Sequence, residues 1–302
     1  MANKEALRIA KLGTTSFFKR LGPRKPYAGK VKAVILDWSG TTADAHVLAP
    51  AVVFAKVFEK HGVPISMREA RLPMGLRKDL HIGKILEIED VSKRWKQAKG
   101  YAPDPEVNGK DVQAMFKDFV PMQLEVLDQY TTLLPGTADA INYLKNNQIK
   151  IGSSTGFTKV MVDVLLAAAK KQGYSPDSSV AGDEVPNNMG FRPAPFMLYQ
   201  NLNNLGVWPI ESVIKVDDTV SGVGEGLNAG CWGVGVAAYS NYTDVDSLEE
   251  WGEMSEEEKE KRREQSRSVL LGSGAHYVID SIAQLPLVVE DINDRLAKGE
   301  RP

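Results

Sequence analysis

VILDWSGTT, residues 34–42, carries an apolar run straight into a carboxylate and then into a turn of small residues. With Val31 and Ala33 ahead of it and Lys32 the one interruption, the run predicts a strand buried on both faces of a parallel sheet. Such a strand ends with Asp37 at the carboxyl edge of the sheet, where open α/β sheets bind their ligands. There one carboxylate oxygen can bind a hard divalent ion while the other attacks an electrophile; a turn or capping aspartate is the plainer alternative.

Working outward, comparable runs at Ile149 to Ser153, Val213 to Val216, Trp232 to Val236 and Tyr277 to Ile279 are separated by helical patterns such as Gly136 to Asn146. This alternation predicts an α/β fold with a doubly wound, Rossmann-like parallel sheet and right-handed crossovers. Between the first two strands the pattern is different. From Ala49 to about Tyr130 it is nearly all helical, with Val52, Val53, Phe54, Val57 and Phe58 on one side of the first segment and a capping box at Ser66 and Glu69. That is far too long for a simple crossover and predicts an inserted helical cap domain. The expected organisation is a basic N-terminal extension at 1–29, a core domain at 30–48 and 131–302, and a cap at 49–130.

Composition narrows the partners. At 302 residues, 43% hydrophobic and 25% charged, with a net charge of -2, the chain reads as a globular protein with no electrostatic reason to bind nucleic acid. No apolar run reaches membrane-spanning length. The single cysteine, Cys231, excludes an intramolecular disulfide and a multi-cysteine zinc site, which favours a reducing, cytoplasmic setting. From Met1 to Lys32, Lys4, Arg8, Lys11, Lys19, Arg20, Arg24, Lys25, Lys30 and Lys32 against Glu5 resemble an organelle transit peptide that is short of serine; a solvated extension is the plainer reading. The run Glu256 to Arg263 reads as a solvated helix, with Glu257 meeting Lys261 and Glu258 meeting Arg262, and carries no chemistry.

The other strand ends add anion and cation chemistry. Ser153-Ser154-Thr155-Gly156 closes the second run and offers hydroxyls, backbone N–H groups and a helix start to an anion. Arg192, within Gly190-Phe191-Arg192-Pro193, can clamp two phosphate oxygens, and Asp217 and Asp218 end the third run as candidate magnesium ligands. Asp37 with Thr41, Thr155, Arg192 and the Asp217/Asp218 pair resembles, in order and spacing, the four motifs of the haloacid dehalogenase superfamily. That resemblance spans about Lys30 to Leu285 and implies phosphoryl transfer through an aspartyl-phosphate.

Members that hydrolyse phosphate esters usually carry a second aspartate two residues after the nucleophile, to protonate the leaving oxygen. Here that residue is Ser39, a poor proton source. The cap segment Pro73-Met74-Gly75-Leu76-Arg77-Lys78-Asp79-Leu80-His81 supplies an alternative, since a lysine of lowered pKa can form a Schiff base with an aldehyde. An exposed cap lysine is the plainer reading of Lys78 alone. Taken with DWSGTT, IGSSTGFT, KVDDTVSGVGEG and GAHYVID, however, PMGLRKDLH resembles the phosphonoacetaldehyde hydrolase (phosphonatase) family. The resemblance implies Asp37 as nucleophile toward phosphorus and Lys78 as the imine-forming residue. It implies Mg²⁺ on Asp37, Asp218 and the Ser39 carbonyl, with Thr155, Gly156 and Arg192 on the phosphonate and Met74 and His81 lining the cap side. It further implies a homodimer associating through the caps.

Three departures stand out. Gly222 occupies the place of a further acid, for which Asp217 is a candidate substitute; Phe157 stands where a tyrosine is expected; and Asn187 to Phe191 is longer than the family loop. A Mg²⁺-dependent phosphate-ester hydrolase and a catalytically silent binding protein on the same fold are the alternatives.

Overall fold

The computed structural model describes residues 26–302. Most of the basic stretch 1–29, and with it the question of a targeting segment, lies outside the described residues. Six parallel strands form one sheet in the order β3-β2-β1-β4-β5-β6: β1 (Ala33–Leu36), β2 (Lys150–Thr155), β3 (Ser178–Ala181), β4 (Val213–Asp217), β5 (Trp232–Val236) and β6 (Tyr277–Ile279). Five of these follow the apolar runs of the sequence; β3, Ser-Ser-Val-Ala, does not. As an edge strand it buries less apolar surface, and its Ser179 and Ser153 hydroxyls bond each other across the pair at 2.7 Å.

β1 is the centre. Val34 and Leu36 pack into the large core on one face, and Ile35 packs into a separate cluster with Leu198, Val213 and Cys231 on the other, as the two-residue period of a strand requires. In register, Leu36 lies beside Ser153 of β2 and Val216 of β4. The chain winds outward from β1 to β3 and then returns to lay β4 on the other side of β1, so the strand order reverses there. The ends of β1, β2 and β4 therefore open onto one crevice.

Between β1 and β2 run α1 (Leu48–Lys60), α2 (Met67–Arg71), α3 (Lys78–Glu87), α4 (Glu89–Lys99) and α5 (Lys110–Leu127). α1 follows a buried acid: Asp44 Oδ1 accepts the Leu48 and Ala49 N–H groups at 3.0 and 3.1 Å, and Pro50 sits in the first turn, where it sacrifices no helix bond. Phe54, Val57 and Phe58 then pack against Ile82, Ile85 and Phe119, all fully buried, so these helices share the large core. Ser66 and Glu69 form the reciprocal capping box at α2.

The remaining helices are α6 (Thr137–Asn146), α7 (Lys159–Lys171), α8 (Phe196–Leu205), α9 (Val220–Ala229), α10 (Leu248–Glu253), α11 (Glu256–Gly272) and α12 (Leu285–Ala297). α11 is the charged helix expected from sequence. Glu258 pairs with Arg262 at 3.1 Å, but Lys261 turns three residues back to Glu258 at 3.9 Å instead of meeting Glu257. No described helix is long and apolar enough to cross a membrane.

Candidate active site

Asp37 leaves β1 with its N–H donated to the Val216 carbonyl of β4, and Thr42 Oγ1 donates back to the Asp37 carbonyl at 2.9 Å. The Trp38 carbonyl gathers the N–H groups of Thr41, Thr42 and Ala43, so the chain after Asp37 is tightly coiled and the Asp37 side chain borders the crevice. That crevice is a cleft bordered by Asp37, Ser39, Met74, Lys78, Thr155, Gly156, Arg192 and Asp218, together with Val47, Pro50 and Phe157. Residues read from five separate stretches of sequence thus meet in one place. His81 is the exception: it lies behind Lys78, fully buried, stacked on Phe54 at 3.8 Å between ring centroids.

The cleft floor is a buried ion network. Arg192 Nη2 donates to Asp37 Oδ1 at 2.8 Å and to the Ser154 carbonyl at 2.6 Å, and lies 3.2 Å from Asp217 Oδ2; its Nε donates to Glu225 Oε2 at 3.1 Å. Lys215, fully buried within β4, donates to Asp217 Oδ2 at 2.8 Å. Glu225 also takes the Ser154 hydroxyl and the Leu198 N–H, which ties α9 to the end of β2 and the start of α8. Lys215 and Glu225 were not read as site residues from sequence. The available signals were a lysine inside an otherwise apolar strand and an acid inside the glycine-rich helix Val220–Ala229, since neither is buried without a partner.

Asp217 is committed to this network. Its Oδ1 accepts the Thr219 N–H and hydroxyl at 3.0 and 2.7 Å, while Oδ2 faces the two cations. Despite burial, Arg192 and Lys215 hold its carboxyl below the usual range. A Cβ added at Gly222 would fall 2.0 Å from the Asp217 carboxylate carbon, so the side chain of residue 217 occupies the space that a side chain at 222 would need.

Asp218 is placed otherwise. Its Oδ2 accepts the Asn241 N–H at 2.9 Å, but Oδ1 is buried without a partner. Burial, with Asp217 and Asp37 nearby, pushes its carboxyl well up. Asp37 is raised to about 6, by burial first and Asp217 second, against the pull of Arg192 and Lys215. Oxygens of Asp37, Asp217 and Asp218 lie within 4.8 Å of one another. A crowded set of carboxylates with an orphaned oxygen fits a hard divalent cation, which would satisfy that atom and offset the repulsion.

Lys78 is the first residue of α3 and is buried. Burial lowers its pKa to about 8; Arg192 acts in the same direction and Asp37 opposes it. The segment carrying it is pinned to the core. Arg77 donates from Nε and Nη2 to Asp79 and from Nη1 to the Asn188 carbonyl at 2.8 Å, so the long 187–191 loop holds the residue beside the lysine. At Gly156 a Cβ would lie 2.4 Å from the Leu76 carbonyl oxygen, and only the missing side chain lets the helical segment come this close to the end of β2. His81 Nε2 meets the Ala70 carbonyl at 2.8 Å, which fixes the proton there and leaves Nδ1 as a buried lone pair without a partner. Burial first, and Lys78 second, hold this ring neutral.

A strand-end aspartate, a neighbouring arginine, a carboxylate pair and a reversed strand order define the chain as a haloacid dehalogenase-like hydrolase, the family that matches residues 31–230. Within it, the chain is 42% identical to the phosphonoacetaldehyde hydrolase of Syntrophobacter fumaroxidans, over 92% of this chain and 98% of that protein, and 39% identical to that of Klebsiella pneumoniae, over 90% and 99%. A solved phosphonoacetaldehyde hydrolase-like protein from Oleispira antarctica superposes with a TM-score of 0.87 at 38% identity, covering 93% of this chain and 99% of that one. The chain belongs to the phosphonoacetaldehyde hydrolase family.

Proposed function

We propose that the protein hydrolyses the carbon–phosphorus bond of phosphonoacetaldehyde, giving acetaldehyde and phosphate. One observation carries the reading: a buried lysine from the helical segment borders the same cleft as the strand-end carboxylate, whose neighbour two places on, Ser39, is not an acid. The relatives at about 40% identity bear the corresponding name.

In this reading neutral Lys78 adds to the aldehyde carbon and water leaves, forming a protonated imine. An Asp37 oxygen attacks phosphorus, and the C–P electron pair flows into the imine to give an enamine. The nitrogen thereby replaces the acid that a phosphate ester would demand. Protonation of the enamine carbon and hydrolysis release acetaldehyde and Lys78, while water cleaves the aspartyl-phosphate. Arg192, already bonded to Asp37, would hold the phosphonate oxygens with Thr155 and Gly156, and Met74 would border the aldehyde side. The Nδ1 lone pair of His81 supports a part in proton movement around Lys78. Mg²⁺, held by Asp37, Asp218 and the Ser39 carbonyl, would neutralise phosphonate charge. The helices from Leu48 to Leu127 would act as the cap, and two copies would associate through them.

The test compares phosphonoacetaldehyde with an aryl phosphate in the presence of Mg²⁺. Release of phosphate and acetaldehyde from the first, a borohydride adduct on Lys78, and loss of C–P cleavage in Lys78→Arg are the expected results. Preference for the aryl phosphate, or retained C–P cleavage in Lys78→Arg, would overturn the reading.

A further inference from the structure

We propose that Phe157 is a catalytic residue whose ring face carries the positive charge of the Lys78 nitrogen as the imine forms. The proposal rests on the imine reading above and assigns the group that stabilises the cation.

Lys78 Nζ lies 4.5 Å from the centroid of the Phe157 ring and 5.9 Å from that of Phe54. Among the described residues no hydrogen bond or ion pair of this nitrogen is found, and the two ring faces approach it where it borders the cleft. For a buried amine this is unusual, because burial ordinarily demands a partner. The chemistry supplies the reason. The nitrogen must be neutral to attack, yet it becomes a cation when water leaves, and it must hold that charge until the C–P electrons arrive. A carboxylate in contact would keep the amine protonated and unreactive. A ring face attracts a cation by only about 0.5–2 kcal/mol and offers no lone pair to a neutral amine, so it favours the iminium without abolishing the nucleophile.

The ring is also placed with some precision. Phe157 sits two residues beyond Thr155, with its N–H donated to Thr155 Oγ1 at 3.2 Å and its carbonyl accepting the Gly182 N–H at 3.1 Å, and the side chain is 2% exposed. It directly follows β2, whereas Lys78 and Phe54 belong to the helical segment between β1 and β2. The ring face therefore meets the nitrogen across the junction at which Gly156 admits the Leu76 carbonyl. A hydroxyl on this ring is not needed for the role; a π face is.

The test uses acetaldehyde and cyanoborohydride on the full chain, with reductive ethylation at Lys78 and at surface lysines read by peptide mass spectrometry. Phe157 is replaced by Leu, Tyr and a series of progressively fluorinated phenylalanines, which drain the ring face of charge with little change of shape. The rate at Lys78 should fall by roughly 3- to 30-fold in Phe157→Leu and stepwise with each added fluorine, be retained in Phe157→Tyr, and stay constant at the surface lysines. Equal rates across the fluorinated series would overturn the proposal and leave the imine reading intact. Wild-type protein that turns over phosphonoacetaldehyde yet forms no Lys78 adduct would remove the imine reading, and this proposal with it.

Discussion

Gly222→Ala is expected to break the floor of the cleft although it adds one methyl group to a helix. The new Cβ would stand 2.0 Å from both Cγ and Oδ2 of Asp217 and 2.2 Å from Oδ1. Either α9 moves or the carboxylate swings away from Lys215, Thr219 and Arg192. Overpacking a close-packed interior costs about 1–3 kcal/mol, and stripping a partner from a buried ion pair about 3–5 kcal/mol. Relaxation will take whichever route is cheaper, and alanine returns about 1 kcal/mol of helix propensity. The net loss is about 1–2 kcal/mol, a fall in Tm of roughly 2–8 °C. The decisive assay is a double-mutant cycle in thermal or urea unfolding. In an Asp217→Ala background the clash is gone, so Gly222→Ala should be neutral or stabilising by up to about 1 kcal/mol. Phosphate affinity, reporting on Arg192, should fall in Gly222→Ala. If the two substitutions add within about 0.5 kcal/mol, residues 217 and 222 do not compete for one space, and the account of the network is wrong.

Asp218→Asn should weaken Mn²⁺ or Mg²⁺ binding by more than about 100-fold in calorimetry, since it removes a charged ligand where outer-shell changes alone cost 10- to 100-fold. The metal-free protein should melt higher, because repulsion from Asp37 and Asp217 is relieved; unchanged affinity would place the ion elsewhere. His46, lowered to about 4 by burial first and then by Arg71 and Arg263, binds its proton more readily when unfolded. Its contribution is therefore present above about 6.5 and is lost as pH falls toward 4, amounting to about 2 kcal/mol between pH 7 and 5. His46→Asn, a residue at ease with the local φ of 64°, should lose that much less over the same interval; parallel stability curves would refute the assignment.

Much of this molecule is written locally. The strands at Ala33–Leu36, Val213–Asp217 and Trp232–Val236 declare themselves because both faces of a central parallel strand must be apolar, and Asp37, Thr155 and Asp218 then stand out as polar residues at strand ends. The capping box at Ser66 is local in the same sense. β3 escaped because an edge strand of four residues, two of them serine, lacks the apolar pattern.

The partners are another matter. Lys78 and Phe157, or Asp217 and Gly222, are related only through the fold, and nothing in a linear pattern says which ring faces an amine or whose carboxylate fills a glycine's space. The sequence by itself determined the α/β sheet, the helical insertion and the carboxylate at the end of the first strand, because periodicity and chain order follow from backbone geometry. Only the tertiary structure decided that Asp217 serves the cations while Asp218 keeps an oxygen free, and that the Lys78 nitrogen meets the ring faces of Phe157 and Phe54. Burial and charge pairing depend on distances across the fold, and those distances exist only once the helices have closed onto the strand ends.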